Sequence, residues 1–301
     1  MQHIEANFYN PSKEKKSLSP VFRQTEDFKG IYKNVKYYND NINAEWQILN
    51  TWVNDIREIK DKKIIYLQQE PPDFLLPCKQ ILDKCSFTIS PFKFDHPIKQ
   101  YITNTPLQWL YDLNIKREDK GHEIKLANKN DLNKILNMPV PKKNKICSMI
   151  VSGRTALPGH KKRIDFTFKI KDHFKNKIDI YGFGFNPITN KKNAIDPYLY
   201  SIAIENSSYR HYWTEKISDV FLGYSAPIYY GCKNLDEYFK KDSFIYIDIN
   251  DIDKSIWQIE NIFNNPDTIS IDAVIKSREK VIKEYNLFYT LSMAIRQNTP
   301  C

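Results

Sequence analysis

Hydrophobic and polar positions along this chain change their period several times. The first forty residues mix polar and aromatic side chains without a clear repeat. Next, Trp46, Leu49, Trp52, Val53 and Ile56 recur at helical spacing behind a capping Asn43, which predicts an amphipathic helix. Lys62-Lys63 lead into Ile64-Ile65-Tyr66-Leu67, a short apolar run that reads as a buried strand. Gln68-Gln69-Glu70-Pro71-Pro72 ends it, because proline cannot donate to a ladder. A short helix over 77–84 and a strand over 86–90 follow, an order that suggests an α/β layer.

Residues 137–145, NMPVPKKNK, carry two prolines, three lysines and no periodicity, and read as a linker. The expected division is therefore an N-terminal domain, 1–140, and a C-terminal domain, 141–301. The second half alternates more plainly. Strands are predicted over 146–151, 178–181, 200–204, 227–230 and 243–247, and helices over 160–174, 214–222, 256–263 and 273–293. Strands separated by helices need crossover connections and give a mostly parallel sheet. Ligands of such sheets bind at the carboxyl ends of the strands.

Composition narrows the class. Apolar residues make up 41% of the 301, which excludes wholesale disorder. No run of about 18 apolar residues predicts a membrane-spanning helix, and the N-terminus MQHIEANFYN shows no apolar core of a signal peptide. Lys+Arg 45 against Asp+Glu 36 gives a net charge of +9, compatible with anionic ligands. The lysines are scattered rather than striped, so nucleic acid is not an expected partner. Cys78, Cys85, Cys147, Cys232 and Cys301 form no CxxC pair, which argues against a disulfide framework or zinc site and fits a reducing compartment. Six of the 8 glycines fall between 153 and 231. Either a ligand approaches the main chain there, or these are ordinary strand-to-helix turns.

The chemistry concentrates in the same region, in SIAIENSSYRHYWTEKISDVFLGYSAPIYYG from Ser201 to Gly231. An apolar strand runs into Glu205-Asn206-Ser207, an aromatic loop follows, and Thr214-Glu215-Lys216 opens a helix. A helix N-terminus suits a pyrophosphate. A lysine in its first turn opposes the helix dipole unless an anion neutralises it. Glu215 can accept hydrogen bonds from sugar hydroxyls. The plainer readings are capping for Glu205 and Thr214 and a solvated charge for Lys216. Asp248-Ile249-Asn250-Asp251-Ile252-Asp253 lacks the glycine and terminal glutamate of a calcium loop and reads as a solvated loop. Trp109-Leu110-Tyr111 fits core packing better than sugar stacking.

Glu205-Asn206-Ser207, then Tyr212-Trp213-Thr214-Glu215-Lys216, then Pro227-Ile228-Tyr229-Tyr230-Gly231 resembles the signature of the family 10 glycosyltransferases, the α-1,3/4-fucosyltransferases. Upstream, Val151-Ser152-Gly153 and Arg163 resemble the strand and helix arginine that contact the donor diphosphate in that family, with Arg154 and Lys162 as neighbouring alternatives. In the first half Glu70 is similar in place to the family's base, with Asp73 competing.

The resemblance implies two Rossmann-like domains facing across a cleft, the GT-B architecture. The first domain would hold the acceptor and the second the nucleotide sugar, with the last helix expected to pack back on the first domain. It implies inverting transfer of L-fucose from GDP-fucose to a glycan hydroxyl, for surface polysaccharide or lipopolysaccharide synthesis. Glu70 would be the base, and Arg163, Glu205, Asn206, Tyr212, Thr214, Glu215 and Lys216 would bind the donor. No cofactor or divalent metal is implied. The acceptor would be an oligosaccharide or glycolipid, and membrane association at most peripheral. The place of action would be the cytoplasm or the inner face of the membrane. Residues 153–162 depart from the familiar pattern, which leaves open another GDP-activated sugar or a non-catalytic binding protein on the same scaffold.

Overall fold

The computed structural model describes residues 3–9, 19–53, 55–118, 121–153 and 158–299. Its first sheet contains β1 (Ile4–Phe8), β2 (Ile31–Tyr32), β3 (Val35–Tyr38), β4 (Trp46–Asn50), β5 (Lys63–Leu67), β6 (Phe87–Ser90) and β7 (Lys99–Ile102). Their order is β2-β3-β1-β4-β5-β6-β7, and only the β2–β3 pair is antiparallel. An antiparallel ribbon, β8 (Leu113–Glu118) and β9 (Gly121–Leu126), follows. The second sheet contains β10 (Lys145–Ile150), β11 (Ile178–Tyr181), β12 (Tyr198–Ile204), β13 (Ala226–Tyr230) and β14 (Ile245–Tyr246) in the parallel order β11-β10-β12-β13-β14. The helices are α1 (Ser19–Phe22), α2 (Lys79–Leu82), α3 (Leu132–Leu136), α4 (Pro158–Phe174), α5 (Glu215–Leu222), α6 (Ile252–Asn264), α7 (Ile271–Lys283) and α8 (Leu287–Gln297). None of the described helices is long and apolar enough to cross a membrane. Cys78, Cys85, Cys147 and Cys232 are free thiols, and Cys301 lies outside the described residues.

The helix predicted around Trp46 is not there. Residues 46–50 form β4, inside the first sheet between β1 and β5. A parallel strand covered on both faces has no polar side, so its apolar residues need not alternate. Trp46, Ile48 and Leu49 are all buried. Gln47 is buried too, its amide bonded to Asn7 and to the carbonyls of Asn41, Ile42 and Ala44. The false helical period arose because Trp52, Val53 and Ile56 belong to the loop beyond the strand.

The helix predicted over 273–293 is two helices. Asn286 ends the run: its Oδ1 accepts from the Phe288 N–H at 2.9 Å, while its Nδ2 donates to the Gln24 carbonyl at 2.8 Å. That cap starts a new helix in a new direction. Val274, Val281 and Ile282 of α7 pack under the second sheet. Leu287, Phe288, Leu291, Ala294 and Ile295 of α8 join the core of the first.

Carboxyl ends of strands position everything that follows. β5 delivers Glu70, and β12 delivers Glu205 and Asn206. The crowded glycines serve this convergence by protein packing. Gly182 has φ +118°, and a Cβ there would lie 2.0 Å from the Val151 carbonyl oxygen. Only glycine lets the ends of β10 and β11 approach so closely.

Candidate active site

A cavity of about 360 Å³ opens where these strand ends meet. Trp52, Gln69, Glu70, Leu107, Gln108 and Leu110 form one wall, and Asn206, Tyr212, Thr214, Glu215 and Lys216 form the other. Six of the eight residues singled out from the sequence therefore share one space: Glu70, Asn206, Tyr212, Thr214, Glu215 and Lys216.

Glu70 is held by its main chain. The buried Gln68 amide donates to the Glu70 carbonyl at 2.6 Å and to the Leu75 carbonyl at 2.8 Å, and Tyr66 donates its hydroxyl to Gln68 at 2.9 Å. The Gln69 N–H donates to Thr51. The carboxylate is thus left to the cavity on a fixed loop. Burial raises its pKa; Lys216 opposes that shift, and the charges of Glu215 and Glu205 add to it. A carboxylate so placed is a better base than an exposed one.

Glu205 sits behind the cavity wall and is almost wholly buried. One oxygen accepts the Thr214 N–H at 2.8 Å, the Thr214 hydroxyl lies 2.8 and 3.0 Å from its two oxygens, and Lys216 Nζ is 3.2 Å away. Thr214 in turn caps α5, its Oγ1 accepting from the Lys216 N–H. Glu205 therefore aims the first turn of α5 at the cavity. Lys216 Nζ also lies 3.8 Å from Glu215. Burial acts against the Lys216 charge, but Glu205 and Glu215 outweigh it and keep the ammonium protonated. Burial likewise opposes the Glu215 charge, and Lys216 and Lys191 overcome it, holding that carboxyl at about 2. Tyr212 is raised well above its usual value by burial and by the surrounding carboxylates, so it is a neutral hydroxyl donor.

Arg163 also lies behind the wall. Its guanidinium donates to Asn206 Oδ1 at 2.6 Å and to the Ser152 carbonyl at 3.3 Å, while its buried Nε has no hydrogen-bond partner among the described residues. Lys162 reaches instead to Asn250, and Arg154 lies outside the described residues. Asp73 is not on the cavity wall. It accepts from the Ser207 hydroxyl at 3.1 Å and from the Tyr209 hydroxyl, tying the Glu70 loop to the loop after β12.

Sequence reasoning missed the supporting pair Asp219 and Lys191. Asp219 is buried, accepts the Leu110 and Tyr111 N–H groups at 2.9 Å each, and pairs with Lys191 at 2.8 Å. It fastens the 107–111 wall to α5. Its place one turn after Glu215 was the available signal; its partners are too distant in sequence to foresee. Trp109 and Tyr111 are core residues. In the acidic stretch, Asp251 caps α6 by accepting from the Lys254 N–H. Among the described residues no group of three or more His, Cys, Asp or Glu is placed to hold a metal.

Gly159 links this geometry to α4. A Cβ there would meet the Asn206 carbonyl oxygen at 2.0 Å. Gly159→Ala is expected to push α4 off the end of β12, disturb the Arg163–Asn206 bond and lower the melting temperature by several degrees, for a cost of about 1–3 kcal/mol. Thermal denaturation followed by circular dichroism checks this.

Residues 140–265 match the family model described as "Glycosyltransferase family 10 (fucosyltransferase) C-term". That segment is similar to the C-terminal domain of the family 10 glycosyltransferases. It begins inside the proline-containing stretch before β10 and includes every residue of the cavity's second wall. The curated protein 4-galactosyl-N-acetylglucosaminide 3-alpha-L-fucosyltransferase 9 is similar: the Cricetulus griseus and Homo sapiens forms are each 31% identical over 116 residues, 36% of this chain. The match spans only 30% of the length of those relatives. Among solved structures, an alpha1,3-fucosyltransferase superposes with TM-score 0.51 at 14% identity, covering 95% of this chain and 91% of that one. TarM gives 0.51 at 12% identity over 85% of this chain and 55% of its own, and an alpha-glucosyltransferase 0.50 at 10% over 89% and 86%. The fold is GT-B, with a mostly parallel sheet on one side of the cleft and a parallel sheet on the other.

Proposed function

We propose that this protein is an inverting glycosyltransferase that moves L-fucose from GDP-fucose to a hydroxyl of a glycan acceptor. One observation carries the reading: a single cavity sets the Glu70 carboxylate opposite Lys216 and the first turn of α5. The acceptor oxygen attacks the anomeric carbon while Glu70 takes its proton. The bond from that carbon to the diphosphate breaks on the opposite face, which inverts the configuration. GDP departs with the electron pair. Lys216 and the helix end stabilise its growing charge, and Tyr212 donates a neutral hydroxyl. Arg163 adds positive charge behind Asn206 and orients that amide. With these fixed cations, no divalent metal is assigned a part.

Two likenesses support the donor. The curated relatives are named as 3-alpha-L-fucosyltransferases, and one similar solved alpha1,3-fucosyltransferase is described with GDP. The acceptor reading is an oligosaccharide or glycolipid of a surface polysaccharide or lipopolysaccharide, reached from the cytoplasm with at most peripheral membrane contact.

Calorimetric titration with GDP-fucose, GDP-mannose and UDP-galactose tests the proposal. Micromolar binding of GDP-fucose with much weaker binding of the others is expected. Equal binding of both GDP sugars would move the reading to another GDP-linked sugar. Binding of none would remove it.

A further inference from the structure

The two walls of the cavity differ in chemistry. The α5 wall carries the ammonium of Lys216. The opposite wall, Trp52, Gln69, Glu70, Leu107, Gln108 and Leu110, carries one acid, two amides and no cation. A phosphate finds no counter-charge there; a neutral polyhydroxyl ligand does find amides, a carboxylate and apolar surface.

Trp52 is the unusual member. It is 56% exposed, although large aromatic side chains are generally well buried. Its main chain is fixed by a turn, the Trp52 N–H donating to Asn50 Oδ1 at 3.0 Å. Phe74, 40% exposed on the Glu70 loop, meets the indole edge-on with ring centroids 5.4 Å apart and planes at 71°. Trp52 is thus braced by Phe74, and it lines the space that holds Glu70. Trp257, Phe168 and Phe183 are also exposed, but none lines this cavity. Independently, the Nε2 of Gln108 is buried and has no hydrogen-bond partner among the described residues. The amide thus shares a wall with Trp52 and keeps donor capacity unused among the described residues.

From these observations we infer that Trp52, braced by Phe74, is the stacking platform for a neutral hexopyranose of the acceptor, with Gln108 Nε2 donating to one of its hydroxyls. The pyranose lays its C–H face on the indole, and its hydroxyl edge turns inward to Glu70 and Gln108. This rests on the glycosyltransferase reading and names the residues that choose the acceptor. Trp109 and Tyr111, which the sequence places in the core rather than against a sugar, are in the core.

The test uses the full chain saturated with GDP, and N-acetyllactosamine, lactose and methyl galactoside as probes. Saturation-transfer NMR reports binding, and initial rates with GDP-fucose give KM and kcat. Trp52→Ala is expected to lose the saturation transfer and raise acceptor KM about tenfold, with kcat within about twofold and GDP affinity unchanged. Trp52→Phe recovers most of the affinity, Gln108→Leu weakens binding severalfold, and Trp257→Ala behaves as the wild type. Trp52 is exposed, so its removal leaves the fold intact. A wild-type protein that binds GDP but none of the three sugars overturns the platform. So does a Trp52→Ala protein that binds and uses them normally. Failure of the wild type to bind GDP at all would instead overturn the glycosyltransferase reading beneath it.

Discussion

Glu70→Gln is expected to lower kcat for sugar transfer about a thousandfold, within the range for removing a general base, while GDP affinity stays within about twofold. The amide keeps the size of the carboxyl, and the loop is held through main-chain carbonyls by Gln68, so geometry survives and only proton acceptance is lost. The pH profile carries the same assignment. Burial raises the Glu70 pKa, so the acid limb of kcat/KM lies above the ordinary carboxylate range. Transfer is retained above that raised pKa and disappears as pH falls through it. The linked stability effect has the opposite sense. Between the unfolded and the raised folded pKa the native state binds more protons, so stability declines with rising pH across that window. Glu70→Gln removes this penalty and raises the melting temperature at neutral pH. An active Glu70→Gln enzyme, with Asp73→Asn inactive instead, would transfer the base to Asp73.

Lys216→Ala is expected to weaken GDP binding by roughly tenfold to a hundredfold, the worth of one charge-assisted hydrogen bond at about 1.5–3 kcal/mol. It also strips the buried Glu205 of its cation. Removing one partner of a buried pair costs about 3–5 kcal/mol; Lys216 retains 24% exposure and Glu205 keeps both Thr214 donors, so the low end applies. Lys216→Arg keeps the charge and should restore most of both losses. The acid side shifts as well. Glu215 has its folded pKa depressed to about 2 from 4.5, so its ionised form contributes stability above the unfolded value, lost as pH falls toward about 2. Without Lys216 that protection shrinks, leaving Lys191, and the variant unfolds at a higher pH. In the same variant Glu70 loses the cation that lowers its pKa, so the acid limb of transfer moves up. Titration calorimetry with GDP and acid denaturation measure the two effects. A folded Lys216→Ala protein with undiminished GDP affinity would take Lys216 out of the donor site.

Much of this was legible in the chain. β5 ends at Leu67, Pro71 and Pro72 keep the chain from continuing as a strand, and Glu70 stands between. The strand, polar triplet, aromatic loop and Thr-capped helix from β12 to α5 carry the family 10 signature in local order, and each local signal agrees with the next. The failures share a cause. β4 was misread because a strand covered on both faces has no polar side to set its period. The α7–α8 break was missed because apolar residues continue past Asn286 into a different core, although that residue's cap on the Phe288 N–H is local.

The sequence by itself determined the parallel second sheet, the Thr214-capped helix α5 and the carboxylate just beyond β5. Tertiary structure alone decided which acidic residue does what. Glu70 and Glu215 face the cavity, Glu205 turns back to hold Thr214 and Lys216, and Asp73 spends its oxygens on Ser207 and Tyr209. It also decided that Trp52, not Trp109, stands exposed at the cavity. The physical reason is range. Caps, turns and strand stops are contacts between near neighbours and are written in local spacing. The burial and charge that give a side chain its chemistry come from residues brought together across the cleft by folding.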